Sequence, residues 1–208
     1  IEVWVKNMLE KKGVTRFKDV VHQGKSMLKI IAADITKKRV LILPDDLRSY
    51  GIDPMEFSIA KAVRMSCAIP LFFTPVELRH GGKRSYVVDG GLLSNYPIWI
   101  FDVEGAPRWP TFGLKLKDPA SFTSQGKSDI VSYIKDIILA PINVDQQNFV
   151  RDKDNVRTIT IGCSGSIKAT DFAKASTHVD ELFRSGYECT RGFISGWSFD
   201  RYVRKYRS

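Results

Sequence analysis

Apolar and polar positions alternate along this chain with two different periods, and the changes of period mark its elements. Residues 2–12 put Val3, Trp4, Val5, Met8 and Leu9 on one helical face and Lys6, Glu10, Lys11 and Lys12 on the other. Gly13, suited to a left-handed position, ends that helix. Residues 14–20 read as a short connection containing one helical turn. Residues 27–35 are apolar and strand-like, and residues 39–43 repeat that character after Thr36, Lys37 and Lys38. The two runs predict a strand pair joined by a polar turn, with Pro44 ending the second strand.

Asp53-Pro54 predicts a helix start, with Asp53 as cap and Pro54 in the first turn. That helix carries Ile59, Ala62, Val63 and Ser66, and Pro70 is expected to end it. Strands are predicted at residues 71–73 and 76–78, then a turn in His80-Gly81-Gly82-Lys83-Arg84, then a buried strand through Tyr86, Val87 and Val88. A helix is expected from Asn95-Tyr96-Pro97 through Ile98, Trp99, Ile100 and Phe101, and a strand over residues 111–116. A loop over 119–127 precedes a helix over 129–139, and 156–161 alternate as a strand. A last long helix enters at Asp171-Phe172. Helices and strands interleave and the strand cores are apolar, which predicts an α/β domain spanning residues 1–208 as one unit.

The strand through Val88 stops at Asp89-Gly90-Gly91. A carboxylate there sits at the rim of a sheet, and the glycines permit either positive φ or a close approach that a Cβ would block. Taken alone this is also an ordinary Asp-Gly turn. Upstream lies Met65-Ser66-Cys67-Ala68-Ile69-Pro70-Leu71-Phe72-Phe73-Thr74-Pro75, and downstream Asn95-Tyr96-Pro97. The set resembles the patatin-like phospholipase family in order and spacing: a small-residue helix end running into Ala-x-Pro, an aromatic-Pro segment, a strand into Asp-Gly-Gly, then Asn-x-Pro. The likeness is good over residues 1–105 and loose beyond.

The resemblance implies a three-layer α/β/α domain around a mixed, mostly parallel sheet, incomplete at its N-terminus. It implies hydrolysis of lipid acyl esters by a Ser–Asp dyad without an intervening His, Asp89 being the acid. Gly90 and Gly91 are assigned to loop geometry beside it. Asn95 is expected to cap the helix that follows, which is compatible with positioning the Asp89 loop. Ser66 and Pro70 are candidates to line the site, although packing is the preferred reading of Ser66. The family's nucleophile motif, Gly-x-Ser-x-Gly, is absent, and so is the Gly-rich loop before it. Gly162-Cys163-Ser164-Gly165-Ser166 ends in Ser where Gly is required. The chain starts at Ile1 within an apparent helix, so it is expected to be the C-terminal part of a longer protein, with the missing N-terminal segment supplying the serine. The alternative is an inactive patatin-like domain that binds lipid or protein.

Composition narrows the remaining choices. Three cysteines (Cys67, Cys163, Cys189) stand far apart and His22, His80 and His178 make no ligand pair, so neither a metal site nor a disulfide framework is expected. Gly24-Lys25-Ser26 and Gly126-Lys127-Ser128 lack the earlier Gly of a phosphate-binding loop, having Asp19 and Ser121 there. No nucleotide or other cofactor is expected. No apolar run reaches the roughly 18 residues of a spanning helix, and a cytoplasmic, membrane-peripheral protein is expected. The formal charge of +9 favours anionic partners. The terminal run from Trp197 to Ser208 interleaves aromatic and basic residues. Aromatics packed on the body with solvated cations is the preferred reading. Contact with anionic lipid headgroups is the alternative, and a nucleic-acid surface is not expected.

Overall fold

The computed structural model describes residues 1–94, 96–117, 151–162 and 176–207. The expectations for Asn95, for residues 119–127 and 129–139, for the Gly126 and Gly162–Ser166 motifs beyond Gly162, and for the Asp171 helix entry lie outside the described residues. Helices and strands do interleave, and they gather into two compact units. One holds Ile1–Pro97, and the other holds the described residues from Ile98 onward.

In the first unit, α1 (Glu2–Glu10) is followed by a one-turn 3-10 segment, Phe17–Val20, as the sequence predicts. Gly13 takes φ +67° just beyond α1. Only part of the apolar face of α1 is covered: Leu9 packs on the core, whereas Val3 and Trp4 are 71% and 68% exposed. A small hairpin, β1 (Val21–His22) with β2 (Lys25–Ser26), was not foreseen. Its turn is Gln23-Gly24, both at positive φ, so Gly24-Lys25-Ser26 belongs to a hairpin and not to a phosphate loop.

Four strands form the sheet that positions the acid: β3 (Ile30–Asp34), β4 (Arg39–Leu43), β5 (Val76–His80) and β6 (Lys83–Asp89), in the order β4-β3-β6-β5. Every pairing in it is antiparallel, unlike the mostly parallel sheet that the family likeness led us to expect. The local reason is connection length, since β3–β4 and β5–β6 are joined by short turns, and parallel neighbours need long crossovers. The turn Gly81-Gly82 has φ of 55° and 73°, the geometry of a tight hairpin.

The second helix, α2 (Ile59–Ser66), begins later than Asp53-Pro54 suggests. Ser58 caps it by accepting the Lys61 N–H at 3.3 Å, and Asp53 instead accepts from the Met55 N–H within a turn. Residues 71–73 form a turn, not a strand, and Leu71 sits at φ +70°. Ile59, Ala62 and Met65 of α2 pack with Ala32, Leu41, Leu43, Leu78 and Val87 of the sheet, and Phe17, Leu47, Tyr50 and Phe57 complete this core.

Among its described residues the second unit pairs β7 (Gly113–Lys117) in parallel with β8 (Thr158–Gly162). A single turn, α3 (Asp152–Asn155), leads into β8, and α4 (Val179–Gly196) and α5 (Phe199–Tyr206) close the described chain. The long helix expected from sequence ends at Gly196 with Trp197 as its cap, and Ser198 caps α5 by accepting the Arg201 N–H. Trp197 contacts the rings of Phe112, Phe193, Phe199 and Tyr202, and its indole N–H donates to the Val156 carbonyl at 2.8 Å. Arg157, 2% exposed, lies between two acids, its Nη1 2.7 Å from Asp102 Oδ1 and its Nη2 bonded to Asp154. Arg207 also reaches Asp102, at 2.7 Å.

Candidate active site

Asp89 is the last residue of β6 and faces Ala32 of β3 in the ladder. Its own N–H donates to the Ala68 carbonyl at 3.0 Å, which ties the end of the strand to the stretch after α2. The carboxylate caps a 3-10 turn, Gly90–Leu92: Oδ1 accepts the Gly91 N–H at 2.7 Å. Among the described residues Oδ2 receives no hydrogen bond, and the side chain is half-buried. Burial pushes the Asp89 pKa above the ordinary carboxylate range, and the single Gly91 hydrogen bond only partly opposes it. A carboxyl in this state is a stronger base than a solvated one and has an oxygen open to a proton.

The two glycines serve different needs. Gly90 is buried beneath the start of β3, where a Cβ would come within 2.5 Å of the Ile31 carbonyl oxygen. Of the two options the sequence left open, close approach is the one realised, because Gly90 does not take a positive φ. Gly91 supplies the N–H that orients the acid. The Leu93 and Ser94 N–H groups both return to the Gly90 carbonyl, at 3.1 and 2.8 Å, so the loop is locked on the side away from the strand.

Ser66 ends α2 and Pro70 lies in the turn after it, both half-buried. Neither is bonded to Asp89; the direct contact from this stretch is the Ala68 carbonyl. Sequence reasoning read Cys67 as a small packing residue, yet its thiol is close enough to Asp89 to be affected by it. Burial raises the Cys67 pKa first, the Asp89 carboxylate adds to the rise, and Arg64 partly offsets both. Its signal in the sequence was its place between Ser66 and Ala68. A depression of about 390 Å³ at Arg48, Gly51, Ile52, Asp53 and Pro54 does not include Asp89. Among the described residues no group of His, Cys, Asp and Glu could hold a metal ion, and no helix is long and apolar enough to cross a membrane.

A family model described as patatin-like phospholipase matches residues 1–102. A Bacillus subtilis (strain 168) protein named "Uncharacterized protein YqhO" is 45% identical over 116 residues, which is 56% of this chain and 38% of that protein. The chain therefore spans about two fifths of the curated relative it matches. Residues 1–102, which contain the whole four-stranded sheet and the Asp89 loop, are thus similar to patatin-like phospholipases.

Proposed function

We propose that the protein containing this chain is a lipid acyl hydrolase, a phospholipase A-type esterase in which Asp89 is the base of a Ser–Asp dyad. The serine is supplied from outside residues 1–208. Its oxygen attacks the ester carbonyl while its proton passes to Oδ2 of Asp89. The tetrahedral adduct expels the alcohol, which takes that proton from Asp89, and leaves an acyl-serine. Water then repeats the sequence: its proton goes to Asp89, its oxygen to the acyl carbon, and the proton returns to the serine as the acid departs. The observation that carries this reading is the Asp89 carboxyl itself: at a sheet end, half-buried, raised in pKa, with Oδ1 held by Gly91 and Oδ2 open. Ser66 and Pro70 line the approach to it, and Asn95 positions the loop. The likeness of residues 1–102 to patatin-like phospholipases supports the reaction class.

With this reading goes a single three-layer α/β/α domain over residues 1–208, its complete sheet mostly parallel, of which the antiparallel sheet described above is one part. The protein acts in the cytoplasm and at lipid surfaces. The test is a fluorophosphonate probe applied to the full-length product of the gene that encodes this chain. Label is expected on a serine within Gly-x-Ser-x-Gly, and it is expected to disappear or slow sharply in Asp89→Asn. A folded full-length protein in which no serine reacts would leave the reading without its nucleophile and favour an inactive, lipid- or protein-binding domain.

A further inference from the structure

The end of the four-stranded sheet opposite Asp89 is strongly basic. Because all four strands are antiparallel, the turns β3–β4 and β5–β6 lie at one end of the sheet and Asp89 at the other. The two turns are stitched side by side: the Ile35 N–H donates to the Tyr86 carbonyl at 3.1 Å, and the Tyr86 N–H donates to Thr36 Oγ1 at 2.9 Å. Their exposed cations are Lys37 and Lys38 on one turn and Arg79, Lys83 and Arg84 on the other, with His80 among them. The register sets Arg79 directly across from Arg84 and His80 across from Lys83. Like charges facing each other across a ladder destabilise a hairpin, so this charge is not there to hold the hairpin together. The acids nearby do not neutralise it: Glu77 pairs with Arg79, and Asp34 is buried beneath, bonded to Tyr50 and to the Thr36 and Lys37 N–H groups. Among the described residues Lys38, Lys83 and Arg84 have no ion pair.

Two apolar side chains stand out among these cations, Ile35 at 43% exposed and Tyr86 at 42%. An aliphatic and an aromatic body flanked by cations matches a lipid interface, where apolar groups enter the boundary and cations meet the headgroups. A polyanion such as DNA has no use for an exposed Ile. The C-terminal run also exposes cations, Arg201, Arg204 and Lys205, but Arg207 is committed to Asp102 and the aromatic Tyr202 is buried, not presented beside them. We infer that the turn end of the sheet, centred on Lys38, Lys83, Arg84, Tyr86 and Ile35, docks the protein on an anionic lipid surface. Lys83 lies six residues before Asp89, about 20 Å away at roughly 3.3 Å per residue, so this surface is separate from the acid. The choice of a lipid partner rests on the hydrolase reading above; the charge and its placement do not.

The test is co-sedimentation of the full-length protein with vesicles of phosphatidylcholine alone, or of equal parts phosphatidylcholine and phosphatidylglycerol, at low and physiological salt. The wild type is expected to bind the anionic vesicles, weakly or not at all the neutral ones, and less as salt rises. Lys83→Gln with Arg84→Gln, both exposed, is expected to weaken anionic binding by about 25-fold, roughly fivefold per cation removed. Hydrolysis of a soluble short-chain ester is expected to be unchanged in that variant. Equal binding by variant and wild type, or wild-type retention on duplex DNA with none on vesicles, overturns the docking surface. Intact vesicle binding with no esterase activity overturns only the hydrolase reading, because the sedimentation readout needs no turnover.

Discussion

Replacing Asp89 by Asn removes a proton acceptor and keeps a hydrogen bond, because the amide oxygen can still take the Gly91 N–H. A positioned base is worth ~10²–10⁴ in rate, and ester hydrolysis by the full-length protein is expected to fall by at least about 10²-fold. Stability should move the other way. The folded pKa of Asp89 lies above its unfolded value, so its favourable contribution is complete at low pH and is lost as pH rises through the folded pKa. At neutral pH the ionised carboxylate therefore costs stability, and Asp89→Asn should melt no lower than wild type. The same shift predicts that activity falls on acidification through a pKa above the ordinary carboxylate range, readable as the acid limb of a kcat/KM profile. At Gly90 the expectation is the reverse. Gly90→Ala drives a Cβ into the Ile31 carbonyl and should cost about 1–3 kcal/mol in urea unfolding, with activity lost as the loop is displaced.

Elements differ in how plainly the sequence announces them, and the differences have physical causes. The β3–β4 pair, the Gly81-Gly82 turn and the end of β6 at Asp89 are all legible, because each depends on residues adjacent in sequence. The start of α2 is not: Asp53-Pro54 has the right chemistry, but Asp53 spends its carboxylate on a turn and Ser58 takes the cap. Leu71, Phe72 and Phe73 have strand composition, yet they turn: the Phe72 and Phe73 N–H groups both return to the Ile69 carbonyl, at 3.2 and 3.0 Å. The sense of the sheet was carried over from a family likeness, where the short turns alone argued for antiparallel neighbours. The influence of the Asp89 charge on Cys67 depends on α2 meeting β6, which no local pattern encodes. One buried network was also invisible. Asp34 of β3 accepts the Tyr50 hydroxyl at 2.5 Å and the Thr36 and Lys37 N–H groups at 2.8 Å each. Burial alone would raise its pKa, but these bonds, with Ser85, outweigh it and hold the carboxyl below its usual value. Its contribution is thus present above the unfolded pKa and lost as pH falls through the folded one. Tyr50→Phe removes the hydroxyl bond and should cost about 1–3 kcal/mol at neutral pH, with a smaller difference from wild type in acid.

On the scale of the whole molecule, the two units are held by different physics. The first is an apolar core between α2 and the sheet, with the buried acid Asp34 fully bonded. The second is organised around a buried cation: Arg157 between Asp102 and Asp154, with Arg207 bringing α5 onto Asp102. Burial opposes the charge on Asp102, but Arg157 and Arg207 prevail and keep its pKa below the ordinary carboxylate value. Cutting one partner from a buried ion pair strands the other, at a cost of about 3 kcal/mol or more. Asp102→Ala should therefore loosen the second unit by about that amount. The loss should be readable as faster hydrogen exchange of the β7, β8 and α5 amides, with the β3 and β6 amides as internal reference. Asp102→Asn tests the cause, since it keeps the shape and removes only the charge. If Asn restores protection, packing around Asp102 matters more than its charge; if Asn exchanges as fast as Ala, the charge on Asp102 is what holds Arg157 and the end of α5 in place.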